Sequence, residues 1–395
     1  MRTPHHRRRA ALPVLLSAGL LLTACGTDDD TASEAGTETS DEAGVPVNEP
    51  IVTTYDGGLY VLDGRTLEVI EDIELEGFNR LNPAGDDRHV FVSTSEGFQV
   101  LDAVGAQLTD TVFAADTPGH VVRHAGRTVL FADGTGEVTA FDTDALGEGT
   151  PADLDTYTTE EAHHGVAVEL ENGELLVTLG DEEERVGAIV LDGNHEEVAR
   201  SEECPGVHGE TTAEGEAVVI GCEDGVLIYQ DGEFTKVDGE DDYGRIGNQA
   251  GSDDSPIVLG DYKTDPDAEL ERPEQVALVD TADASMTLVD LPSSYTFRSL
   301  GRGPGGEALV LGTDGTLHVI DPESAEVTDG IELMDEWEEP LEWQEPRPAL
   351  FVRGETAYVS DTATDQVHAV DLSSGEVTAS VTLEETPDEL SGVGH

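Results

Sequence analysis

An all-β fold, and within that class a β-propeller, is what this sequence predicts. Three observations carry the expectation. A short apolar strand ending in Asp recurs eight times: LYVLD (59–63), FQVLD (98–102), VTAFD (138–142), AIVLD (188–192), VLIYQD (226–231), VALVD (276–280), LHVID (317–321) and VHAVD (367–371). The closing Asp residues are 39 to 50 residues apart, the length of one blade. Each copy follows another apolar run and a Gly/Asp turn, as in HVFVSTSEG or TVLFADGTG, and most precede a third strand such as GEVTASVTL (375–383). No long amphipathic helix interrupts them. Eight copies predict eight blades closing into a ring. Seven is the alternative, if an end copy is a partial blade.

The N-terminus reads as an export signal. Arg2, Arg7, Arg8 and Arg9 form a basic region, and 12–22 is an apolar run too short to span a membrane well. Leu22-Thr23-Ala24-Cys25 then reads as a lipobox, with Cys25 the lipidated first residue of the mature chain. Residues 1–24 are thus expected to be a lipoprotein signal peptide. The stretch 25–48 is Thr, Asp, Glu, Ser, Ala and Gly with almost no apolar content, so it is expected to be a solvated acidic tether. One propeller domain should occupy 49–395, monomeric and held to the membrane by its lipid alone, on the outer face of the cell membrane or in a periplasm.

Charge narrows the function. Asp plus Glu is 86 against 19 Lys plus Arg, a net charge of −67. No basic patch can form in that field, which excludes nucleic-acid binding. The acids are spread along the chain, as in a hydrated surface suited to salt. Two further cysteines, Cys204 and Cys222, lie 18 apart. In an exported protein a disulfide is the expectation, with a Cys204 thiolate near His208 as the alternative.

The innermost strand of each blade should lie just before the repeated pair. The candidates are 77–85, 118–126, 162–170, 204–212, 243–251, 295–303 and 341–349. Aligned by distance to the next strand, His120, His164 and His208 fall at similar places in three consecutive blades. Arg80, Arg245 and Arg298 take comparable places elsewhere. Three neutral imidazoles converging on one level of a channel suit a borderline transition metal, Zn2+ first. Glu210, two residues beyond His208, could ligate the metal or orient a histidine. His163 is expected in a supporting or alternative role beside His164, and His124 as a reserve ligand. His318 and His368 read as structural or surface residues, and His89 and His195 as loop residues. The competing reading is that each histidine is a satisfied polar residue of the channel wall.

At these residues the chain resembles the AztD-type zinc metallochaperones, exported β-propellers associated with a zinc ABC importer. The resemblance runs over nearly the whole folded region, on PGHVVRHAGRTVLFADGTGEV (118–138), HHGVAVEL (163–170), CPGVHGE (204–210) with Cys222, GTLHVID (315–321), EPRPAL and DQVHAVD. It implies a carrier that binds zinc in the propeller and hands it to the importer's substrate-binding protein, with His120, His124, His164 and His208 matching the family's pattern. One departure stands out: members often carry a His-rich segment ahead of the third blade, whereas 103–119 has no His.

Two rivals remain from the residues alone. A zinc-dependent hydrolase could also use three histidines and an open position, with Glu210 or Glu161 as base, but no nucleophile elbow or phosphate loop accompanies them. A metal-free interaction scaffold is open to any propeller.

Overall fold

The computed structural model describes residues 46–394. The signal peptide, Cys25 and all but the last residues of the expected tether lie outside them. Val47, inside that expected tether, is buried between the first two blades, and its N–H donates to the Val104 carbonyl at 2.9 Å.

Eight sheets form the described chain, each an antiparallel run of four strands, and in blade 5 the two-residue Gly244–Arg245 adds a parallel pairing to the third strand. The only helices among the described residues are the 3-10 turns Thr143–Glu148 and Glu214–Glu216. None is long and apolar enough to cross a membrane. The seven-blade alternative fails because the C-terminus supplies the missing strand. Leu390–Gly392 pairs with Ile51–Tyr55, Ile51 opposite Gly392 and Thr53 opposite Leu390, and completes blade 1 from the inside.

The strand chemistry explains the repeat. Blades pack face to face, so the middle strands of a sheet are covered on both sides and read as unbroken apolar runs. Gly58–Leu62 and Ala217–Cys222 are buried throughout. Outermost strands meet water and lose the pattern: Val69–Glu74 is almost wholly exposed. In seven of the eight copies the terminal Asp caps a turn, and the eighth, Asp231, instead takes a left-handed φ of +52°. The Oδ1 of Asp63 accepts from Arg65 and Thr66 N–H, both at 3.0 Å, and Asp321 does the same for Glu323 and Ser324 at 3.0 and 2.8 Å. An Asp side chain that takes up turn amides in this way starts the hairpin to the next strand.

The innermost strands of blades 2 to 5 and 7 fall where expected: Arg80–Pro83, Pro118–His124, Ala167–Glu169, His208–Ala213 and Tyr295–Arg302. Two expectations need correction. In blade 8 the strand is Leu350–Arg353, just after 341–349, because that stretch is a long connection. In blade 6 it is Gln249–Ser252, at the end of 243–251. His89 is no loop residue: it opens the strand His89–Thr94, is buried, and its Nδ1 lies 2.6 Å from Asp86. His318 and His368 are buried on third strands, as structural residues.

Side chains between neighbouring blades make the core. Across blades 3, 4 and 5 it is one continuous cluster, from Val122 and Phe131 through Leu176 and Val190 to Ile220 and Tyr229. These blades also carry the histidines.

Candidate metal centre

Each connection from an outermost strand to the next innermost strand emerges on the same rim of the ring. His164 sits in such a connection, between Asp155–Thr158 and Ala167–Glu169. His208 is the first residue of the innermost strand of blade 5, and His120 the third of blade 3. Both strands carry a bulge at that point: the register slips between Pro118 and Val121, and between His208 and Glu210. A bulge re-aims the side chains beside it, which turns these histidines towards the rim of the channel.

Two glycines allow the close approach. Gly209 has φ +71°, and a Cβ there would stand 2.5 Å from both Gln249 Oε1 and the Gly247 carbonyl. A Cβ on Gly119 would stand 2.1 Å from Asp133 Oδ1. Bare backbone beside His208 and His120 leaves room for the groups that hold the cluster.

One ligating atom from each of His120, His164 and His208 lies within 4.8 Å of the others. Ring centroids are 5.0 to 5.8 Å apart. The far side of each ring is engaged. His208 Nδ1 donates to the Gly247 carbonyl at 2.6 Å, and His164 Nδ1 donates to Asp133 Oδ2 at 2.5 Å. His120 Nδ1 lies 3.2 Å from Glu210 Oε2. That oxygen is buried and has no hydrogen-bond donor. With Nδ1 protonated on His164 and His208, their Nε2 atoms carry lone pairs, and these face each other at 3.1 Å. Two facing lone pairs need a cation between them, a proton or a metal ion. Burial, and then the neighbouring His120, pushes the His208 imidazole well below its usual value, despite the Gly247 carbonyl. It is held neutral, the form that ligates metal.

The other expected residues lie elsewhere. His163 is buried on the opposite side of the chain from His164. Its Nδ1 donates to the Glu161 carbonyl at 3.0 Å, its Nε2 meets Thr178 Oγ1 at 3.2 Å, and the ring packs edge-on to Phe131. With both nitrogens engaged it is a structural histidine. His124 is four residues along the strand from His120, about 13 Å, and pairs with Glu216 at 3.0 Å near the opposite rim. Arg298 is bound to Asp388 and Glu389, and Arg245 donates to the Gly206 carbonyl at 3.2 Å. Cys204 and Cys222 form a disulfide, which removes the thiolate alternative. It staples the segment leading to His208 onto the next strand of blade 5.

Asp133 and the Gly247 carbonyl were not expected at this site. Asp133 stands in the quoted ADGTG turn, where turn chemistry alone accounts for an Asp. A main-chain carbonyl leaves no mark in a sequence.

No family model matches the chain. It is similar to the zinc chaperone AztD of Citrobacter koseri, with 24% identity over 304 residues, 74% of this chain and 70% of that protein. Two solved structures of Citrobacter koseri AztD, one of them the apo form, share its fold with a TM-score of 0.75 at 21% identity. They match over 88% of this chain and 98% and 97% of theirs. The dihydro-heme d1 dehydrogenase NirN has the fold more distantly, with a TM-score of 0.58 at 13% identity over 90% of this chain and 77% of that one. The similar curated protein is named for carrying zinc and not for a reaction.

Proposed function

We propose that this chain is an extracytoplasmic zinc carrier. It holds one Zn2+ on His120, His164 and His208 and passes it to the substrate-binding protein of a zinc ABC transporter. The observation that carries this reading is the pair of facing Nε2 atoms, 3.1 Å apart, on rings whose Nδ1 atoms are already committed. Zn–N bonds of about 2.0–2.1 Å in a tetrahedron place ligand nitrogens about 3.3–3.4 Å apart. A shift of a few tenths of an ångström meets that requirement. His120 offers its remaining nitrogen as the third donor, and the buried Glu210 carboxylate completes the set or steers His120. The similarity to a zinc chaperone supports the same reading.

The chain's own residues account for capture and release. Asp133 and the Gly247 carbonyl fix tautomers, so the lone pairs are aimed before metal arrives. Binding displaces whatever proton His164 and His208 share. His164 is the most exposed of the rings, 40% against 21% for His120. It is the ligand an acceptor reaches first, and stepwise exchange starts there. A lipid on Cys25 and a tether that ends before the buried Val47 keep the domain at the outer face of the cell membrane as a monomer, where a disulfide persists.

The test is zinc content of the purified chain beside a His120/His164/His208 triple Ala variant. About one zinc per chain, lost in the variant, is expected. No zinc in either, after exposure to zinc and a weak chelator wash, leaves the metal-free scaffold.

A further inference from the structure

The connection between blades 7 and 8, residues 333–349, is pinned along its length. Leu333 and Met334 N–H donate to the Gly315 carbonyl at 3.0 and 3.3 Å. Trp337 N–H donates to Thr313 O at 2.9 Å, and its indole to Gly312 O at 3.1 Å. Arg272 donates to the Glu339 carbonyl at 3.1 Å. Beneath lies Arg347, 1% exposed. Its guanidinium donates to the Glu339 carboxylate at 2.8 Å, the Glu342 carbonyl at 2.7 Å and the Glu345 carbonyl at 3.4 Å. A buried arginine that binds the backbone of a surface loop holds that loop in one shape.

Above it, residues 341–346 are all exposed. Leu341 is 64% exposed and Trp343 52%. The Trp343 ring stands edge-on to Phe78, 5.1 Å between centroids, in the connection from blade 1 to blade 2. Both connections emerge on the rim that bears His164. The crest and the histidines therefore share one mouth of the channel.

Elsewhere, the exposed large apolar residues Val69, Ile70, Val112, Val198, Val327 and Val377 are strewn over outermost strands on the flank, and Leu154 stands alone just before another. Scattered single residues of that kind are ordinary. The crest differs: a Trp and a Leu two residues apart, on a fixed loop, among the exposed carboxylates of Glu336, Glu342 and Glu345 in the same connection, with Glu338 paired to Arg272 at 3.4 Å.

We propose that the crest 341–346 is the docking element for the protein that accepts the metal. The proposal rests on the carrier reading above. The occupant is a zinc-binding protein with an apolar recess edged by Lys and Arg. Leu341 and Trp343 fill the recess, Trp being the side chain that most often dominates such contacts. The carboxylates meet the basic edge and set the encounter rate, as does the net charge of −67. Because Arg347 already holds the loop, docking loses little conformational entropy.

The experiment follows zinc leaving the loaded chain, in parallel, to a small chelator and to the substrate-binding protein of a zinc importer from the same cell. The unaltered chain is compared with a Leu341→Ser/Trp343→Ala variant and with Trp343→Phe. The double variant should keep its zinc stoichiometry and its rate to the chelator, which also reports an intact fold. Its transfer to the protein acceptor should slow by about 30-fold, the loss that accompanies a Trp hot spot. Trp343→Phe should retain most of the rate. Unchanged transfer by the double variant, with the unaltered chain still outpacing the chelator, overturns the docking role alone. Transfer by the unaltered chain no faster to the protein than to the chelator overturns delivery, and the docking role with it.

Discussion

The Nε2 atoms of His164 and His208 face each other at 3.1 Å, and neither ring can turn away without breaking its Nδ1 hydrogen bond. The two rings come from different blades. Their approach is a property of the ring as a whole and not of any local motif.

Asp133 is the support most open to test. Asp133→Ala removes the acceptor that fixes the His164 tautomer. Zinc affinity, measured by chelator competition, should fall about 10–100-fold, the usual effect of losing such a partner. Stoichiometry at saturation should stay at one, since no ligand is lost.

Gly119→Ala should give the same phenotype by another route. The new Cβ would stand 2.1 Å from Asp133 Oδ1 and push that carboxylate off His164. The affinity losses of the single variants and of the double variant should be nearly equal, because both act on one contact. Additive losses would show that Gly119 acts elsewhere.

Acid should weaken both binding and folding. Zinc requires unprotonated imidazoles, so affinity declines as pH falls. Burial holds His208 and His368 below the ordinary imidazole range in the folded, metal-free chain. Unfolded, each takes up a proton near about pH 6.5 that the folded state refuses. Their contribution to stability is therefore complete above that value and is lost as pH drops below it. Urea midpoints of the metal-free chain between pH 8 and 5.5 should show the decline, and His368→Gln should flatten it.

The disulfide should matter twice. Replacing Cys204 and Cys222 by Ser opens a cross-link over 18 residues, worth about 3 kcal/mol on the loop-entropy estimate. The segment before His208 then loses its staple to the second strand. A lower urea midpoint together with weaker zinc binding is expected. Weaker stability with unaltered affinity would confine the disulfide to a structural role.

The propeller was legible because buried strands keep a two-sided apolar run, and because nearly every third strand ends in an Asp that caps a turn. The three consecutive blades bearing His120, His164 and His208 were legible for the same reason: equal offsets within a repeat become neighbours in the ring. His163 and His124 were harder. Adjacent side chains on an extended segment point opposite ways, which separates His163 from His164, and four residues of strand carry His124 towards the other rim. Asp133 was hidden because a turn already explains an Asp at that place. The inner strand of blade 8 was misplaced because Leu341 and Trp343 give 341–349 a strand-like look, whereas both stand in water on a loop.

The last described strand in chain order, Leu390–Gly392, is the one that finishes the first blade. A nascent chain in which all three histidine blades are complete still lacks Leu390–Gly392, and the inner edge of Ile51–Tyr55 still has open hydrogen-bonding groups. Such an edge invites pairing with any other strand nearby. Contacts that span almost the whole chain also form late. Leu390–Gly392 thus works as a clasp: the ring is shut by a pairing between the two ends of the described chain, Ile51 opposite Gly392, and a variant without those three residues should leave the inner edge of blade 1 open to pairing with another strand.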